Sequence, residues 1–198
     1  MISDLLQIVL QSAASCDIPI VIIGGLALPA YNIARTTLDL DLCIYIKTQE
    51  ELNHFIKVLK KNEISTIQTP KINHDLFTVF GKRGEAEIWL QPCDAFHWDE
   101  KMVKRIKNFF SNVYILAIED YILTKLARSD RSSTDINDIL QILIANKDTI
   151  DWKYLIFRLK WIDLENDFNE VLEGFKSDFA NNFRNVSKDL LEKFKNKE

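Results

Sequence analysis

Cysteine is scarce in this chain of 198 residues: Cys16, Cys43 and Cys93 are widely spaced and form no Cys-x-x-Cys pair. An odd, scattered set excludes a disulfide framework and points to a reducing, cytoplasmic setting. Long apolar runs are missing as well. The longest, Ile18 to Tyr31, is interrupted by Pro19 and Pro29, so no transmembrane helix is expected. The start carries Asp4 and no early Lys or Arg, unlike a secretory signal. Five glycines and four prolines leave no room for a collagen-like repeat, and 47% apolar residues exclude a disordered tail protein. A basic excess is also lacking. The net charge is −4, and residues 1–100 hold 8 Lys/Arg against 13 Asp/Glu. An acidic first half is a poor general nucleic-acid surface but a good place to hold a divalent cation.

What is present is an α/β pattern followed by a helical one, predicting a 1–100 core and a mainly helical 101–198 region. Apolar spacing predicts a helix over 2–15, and Ile18 to Ile23 reads as a buried strand closed by Gly24-Gly25. A short helix over about 26–34 follows. Leu38 to Ile46 then alternates, with Asp39, Asp41, Cys43 and Tyr45 expected on a wet face opposite five aliphatic residues. Thr48 and Glu51 have capping-box spacing for a helix to about 61. Leu76–Phe80 and Ala86–Leu90 read as two strands of a hairpin. Helices are predicted over 99–108, 118–129, 135–146, 151–161, 164–176 and 185–196, with a short strand near Val113–Leu116.

Chemistry concentrates in one stretch. Two carboxylates at i and i+2 on a strand, Asp39 and Asp41, have Cα atoms about 6.5–7 Å apart and point the same way, so they can converge on a hard cation. Gly24-Gly25, between a strand and a helix, lets backbone N–H groups approach a phosphate closely. The alternative for each is plainer: outward polar residues on a half-exposed strand, and an ordinary tight turn.

Gly24-Gly25, a short helix, then Arg35-Thr36-Thr37-Leu38-Asp39-Leu40-Asp41 resembles the active-site signature of the nucleotidyltransferase fold, the DNA-polymerase-β-like superfamily. Lys125 on an apolar helix, followed by Asp135-Ile136-Asn137-Asp138, resembles a second signature in small standalone members similar to abortive-infection toxins. The resemblance spans roughly residues 18–46 and 115–145. It implies a mixed-sheet nucleotidyltransferase core and transfer of a nucleoside monophosphate from an NTP to a hydroxyl acceptor. Magnesium or manganese would sit on Asp39, Asp41 and a third carboxylate, and the glycine turn would hold triphosphate oxygens. Glu87, on the strand expected to adjoin, is the choice for that third carboxylate, with Glu85 and Asp94 as alternatives. Many relatives carry Ser where Gly25 stands, so one hydroxyl contact to phosphate is lost.

The same resemblance assigns nucleotide contacts to Arg35, Thr36, Lys125, Asp135 and Asp138. Arg35 has a second reading as a helix-end cap. The stem of Lys125 is expected to pack while its ammonium reaches a cleft. Asp135 and Asp138 share a helix face, where they either serve the helix dipole or orient Lys125. An RNA 3′ end such as that of tRNA, or a protein hydroxyl, is the implied acceptor, and a cognate antitoxin the implied partner, with no membrane. The rival expectation is a catalytically inactive module of the same fold that binds a nucleotide or a protein.

Overall fold

A computed structural model describes residues 4–37, 39–82, 84–178 and 184–196. The chain divides into two units. Unit 1 is Met1–Ala30 with Arg35–Leu116, and unit 2 is Tyr31–Ala34 with Ala117–Glu198.

Unit 1 is built on a seven-stranded mixed sheet. Its elements in chain order are α1 (Asp4–Ala14), β1 (Ile20–Ile22), a 3-10 helix (Gly24–Tyr31) that runs on into unit 2, β2 (Asp41–Ile44), α2 (Gln49–Lys61), β3 (Ser65–Thr66), β4 (Leu76–Gly81), β5 (Gly84–Trp89), α3 (Glu100–Arg105), β6 (Lys107–Phe110) and β7 (Val113–Ile115). The strand order is β3-β4-β5-β2-β1-β7-β6. β1 runs antiparallel to β2 and parallel to β7, while β2 runs parallel to β5.

Register fixes what each face carries, because paired residues project to the same side. On one face Ile20 pairs with Ile44, Ile22 with Leu42, Leu42 with Ile88, and Ile88 with Phe77. Every one of these is buried, as are Leu5, Val9, Leu52, Phe55 and Leu59 of α1 and α2. A fully buried aromatic such as Phe55 or Phe77 contributes roughly 1.5–3 kcal/mol through area removed from water. The opposite face divides into two rows. Val21, Cys43 and Trp89 form an apolar row, and beside it Asp41, Glu87 and Thr78 form a polar row across three strands.

Local chemistry explains several element ends. Thr48 accepts from the Glu51 N–H while the Glu51 side chain accepts from the Thr48 N–H, so the capping box opens α2 as its spacing predicts. Asp99 caps α3, accepting from Lys101 and Met102. Gly81 to Gly84 closes the β4–β5 hairpin, with Gly84 at φ +134°.

The structure departs from expectation at several places, and the short helix expected over about 26–34 is a 3-10 helix over Gly24–Tyr31. The strand expected over 38–46 is ordered as a strand only from Asp41 to Ile44 (position 38 lies outside the described residues), so Asp39 precedes β2 instead of lying on it. The face predicted to be wet is dry at Cys43, which is fully buried; burial and neighbouring Cys93 push its thiol up, although Trp98 opposes this. The helix expected over 99–108 ends at Arg105, and the chain turns directly into β6, an edge strand.

Unit 2 is helical: α4 (Ile118–Leu126), α5 (Ser133–Asn146), α6 (Trp152–Trp161), α7 (Glu165–Asp178) and α8 (Arg184–Lys195). Its interior holds Tyr121, Ile139, Leu143, Leu155, Leu159, Phe168 and Leu190. Asn146 donates to the Tyr31 carbonyl, tying α5 to the segment Tyr31–Ala34 of the same unit. Among the described residues no helix is long and apolar enough to cross a membrane.

Candidate active site

Beside the Asp41 end of the polar row, β1 stops and the chain must turn at Gly24. Gly24 adopts φ +58°, a backbone conformation that disfavours residues with a Cβ. A Cβ there would also fall inside the Asp41 carboxylate. Two independent demands, backbone shape and close approach, therefore select glycine at this position. The Ile23 N–H donates to the Asp41 carbonyl at 3.2 Å, so the turn and the start of β2 are held together.

Asp41 pairs in register with Glu87 on the parallel neighbour β5, so the two carboxylates lie side by side on one face. The Glu87 N–H donates to the Leu40 carbonyl at 3.1 Å, extending the pairing one residue before β2. Asp41 is half-buried, and Glu87 and Asp39 are exposed. Thr37 links the segments: its hydroxyl accepts from the Asp39 N–H at 3.2 Å. A Cβ on Gly25 would stand 3.3 Å from the Thr37 Cβ, so this threonine lies directly over the second glycine. Its position within the signature was the only sequence signal for that contact. Arg35 and Thr36 are exposed in the same segment. Glu85, on the Glu87 face of β5, and Asp94, in the loop beyond, are exposed too, but neither is the register partner of Asp41.

Among the described residues, no group of three or more His, Cys, Asp or Glu side chains is already drawn together around one point. The donor set is nevertheless the right kind. Asp39, Asp41 and Glu87 offer hard carboxylate oxygens only, which suits magnesium or manganese and disfavours zinc.

The second set of predicted residues lies in unit 2 and is built differently. Lys125 is buried on α4, and its ammonium meets Asp135 at 2.9 Å and Asp138 at 3.1 Å on α5. Both carboxylates are buried. Ser132 opens α5 with a second capping box, in which its hydroxyl accepts from the Asp135 N–H and Asp135 accepts from the Ser132 N–H. The Ser-x-x-Asp spacing that signals this box is present in the sequence but was not read there. Burial on its own would raise the Asp135 carboxyl; the Lys125 ammonium and the Ser132 donors overcome it and bring it to about 2. The sequence reading also missed a neighbouring buried pair, Asp120 with Arg158 at 3.1 Å. Tyr154 donates to the same carboxylate, and the guanidinium lies 4.2 Å from the Trp161 ring centroid.

Comparison with known proteins bears on the whole chain. Residues 2–190 match the family described as nucleotidyltransferase of unknown function (DUF6036). No curated protein matches the sequence. Among solved structures the chain is similar to the antibiotic-resistance factor ANT(2'')-Ia, with 14% identity, a TM-score of 0.50, and 84% of this chain and 96% of that one covered. It also aligns with an antigenic nucleotidyltransferase-like protein from Paracoccidioides brasiliensis, at 15% identity and TM-score 0.45, over 85% of this chain and 91% of that one. The Megavirus polyadenylate synthase aligns at 14% identity and TM-score 0.48, over 96% of this chain and 48% of the synthase. At such identities the first likeness speaks for the fold, which is the mixed α/β core expected from the sequence.

Proposed function

The chain belongs to the DUF6036 family of nucleotidyltransferases, and on that premise we propose that it moves a nucleoside monophosphate from a nucleoside triphosphate to a hydroxyl acceptor, releasing pyrophosphate. The observation that carries this reading is the Asp41–Glu87 register pair beside Gly24, a turn that tolerates no side chain. Backbone N–H groups at Gly24 and Gly25 would bind triphosphate oxygens, and Arg35 and Thr36 would add polar contacts to the same nucleotide. Asp39, Asp41 and Glu87 would hold magnesium or manganese, which when bound offsets the triphosphate charge and favours an in-line approach. Glu87 would accept the proton of the acceptor hydroxyl as its oxygen bonds to the α-phosphorus. The bond between that phosphorus and pyrophosphate breaks in the same step.

The acceptor fits two classes, an RNA 3′ end such as that of tRNA or a side-chain hydroxyl of a protein. A toxin role, held in check by an antitoxin protein, is part of the same proposal and rests on the resemblance of the signatures. Lys125, Asp135 and Asp138 carry their nucleotide-binding role by that resemblance as well, whereas their geometry supports fastening α4 to α5.

Transfer of label from α-labelled NTPs to RNA and protein acceptors, with magnesium or manganese, tests the reading. Label is expected on one acceptor class and is lost in the Asp39→Asn/Asp41→Asn variant; equal labelling by that variant rejects the mechanism. Gly25, in place of a hydroxyl-bearing residue, favours a second reading in which nucleotide binds without turnover. Calorimetric binding of ATP and magnesium with no pyrophosphate release would select it.

A further inference from the structure

The sheet ends at β6, and this edge differs in charge from the acidic stretch over residues 1–100. All four β6 residues, Lys107 to Phe110, are exposed. A register shift between Asn108 and Phe110 bulges the strand at Phe109, and the two phenylalanines pack edge-to-face with centroids 5.4 Å apart. Short length, a bulge and Lys107 are devices that blunt an edge against self-pairing, yet two phenylalanines stay exposed on this one. Beside them, between α1 and the β6–β7 turn, lies a cavity of about 380 Å³. Leu10, Ala14, Phe110 and Val113 give it an apolar lining, and Gln7 and Gln11 stand at its wall. The strand and the helix before it carry a modest cationic excess: residues 99–110 hold Lys101, Lys104, Arg105 and Lys107 against Asp99 and Glu100, Lys104 pairs with Glu100 at 3.3 Å, and Lys107 lies on β6 itself.

We propose that β6 is a docking edge for an extended, acidic peptide segment of another protein, which pairs as an eighth strand and seats an apolar side chain in the cavity beside α1. Main-chain hydrogen bonds along the edge would supply affinity, and the cavity would select the side chain. The cationic excess fits an acidic partner and disfavours a second copy, because two identical edges would bring like charges together. A single-stranded nucleic acid would use the charge but not the row of backbone groups, and the phenylalanine rings are engaged with each other rather than standing as open stacking platforms. The inference is independent of the transfer reaction.

A phage-displayed library of random dodecapeptides, selected on the full chain, tests it. Selected peptides are expected to alternate acidic with apolar residues. Synthetic copies methylated at alternate backbone nitrogens should lose binding. Ala14→Leu, which fills the cavity, and Lys104→Glu/Lys107→Glu should each weaken the unmethylated peptide by about tenfold or more. Melting curves matching the wild type would confirm that both variants fold, and transfer activity should be unaltered. Selected sequences without acidic bias, or binding indifferent to N-methylation and to both variants, would overturn the proposal. So would a fluorescent oligouridylate that displaces the selected peptide and binds more tightly, or sedimentation of a dimer that Ala14→Leu dissociates.

Discussion

Two groups of carboxylates in this chain are drawn from the same residue types and are treated in opposite ways. In unit 1, Asp39 and Glu87 are exposed and Asp41 is half-buried against a bare glycine. In unit 2, Asp135 and Asp138 are buried and closed around the Lys125 ammonium. An exposed carboxylate keeps its hydration and can exchange it for a cation at little cost. A buried one is tolerable only with its partner in place, because an unpaired charge in the interior is strongly destabilising. The difference teaches that an acidic motif is read for chemistry by its surroundings rather than its spacing.

Removing the partner should break the comparison most severely. Lys125→Met takes the ammonium away from two buried carboxylates and is expected to cost about 3–5 kcal/mol, measured by denaturant unfolding. Adding Asp138→Leu should recover part of that loss; no recovery would mean that the ion pair is not what holds α4 to α5. Next in size is Gly24→Ala. A left-handed residue with a Cβ costs roughly 1–3 kcal/mol, and the displaced Asp41 carboxylate should lower transfer along with stability. Stability lost with turnover unchanged would separate the turn from the chemistry.

The pH dependence gives a comparable, reversible test. Folding lowers Asp135 from its usual 3.8 to about 2, so its contribution is complete above 3.8 and is lost as pH falls through about 2. That contribution is roughly 2 kcal/mol at neutral pH. Wild type should therefore melt above Asp135→Asn at pH 6, and the gap should close between pH 4 and pH 2. A gap that persists at pH 2 would assign the residue's effect to packing. The smallest effect is expected from Gly25→Ser, whose Cβ would need only a slight shift of Thr37. Stability should change by less than about 0.5 kcal/mol, while transfer, if limited by phosphate contacts, rises severalfold.

Much of this contrast was legible in the sequence, and the limits are physical. The Thr48–Glu51 box, the Gly81–Gly84 hairpin and the helices of unit 2 follow from spacing alone, because capping and periodicity are local. The Asp41–Glu87 pairing was anticipated only as adjacency; its register depends on β2 and β5 meeting across the sheet. Burial of Cys43 could not be read, since alternation separates the two faces of a strand without saying which parts are covered. β6 was hidden because Lys104 to Asn108 continue a plausible helical charge pattern, and the strand exists by pairing with β7. Lys125 was expected to reach a cleft, and in fact its ammonium ends inside a buried cage, a long-range outcome of how α4 packs on α5.

The most direct measurement sets Asp41→Asn beside Asp138→Asn and records pyrophosphate release and melting temperature for each. Asp41→Asn should lower release on the order of 10³-fold and leave melting nearly unchanged, whereas Asp138→Asn should lower the melting temperature clearly. Full release from Asp41→Asn, with its melting intact, would contradict the account.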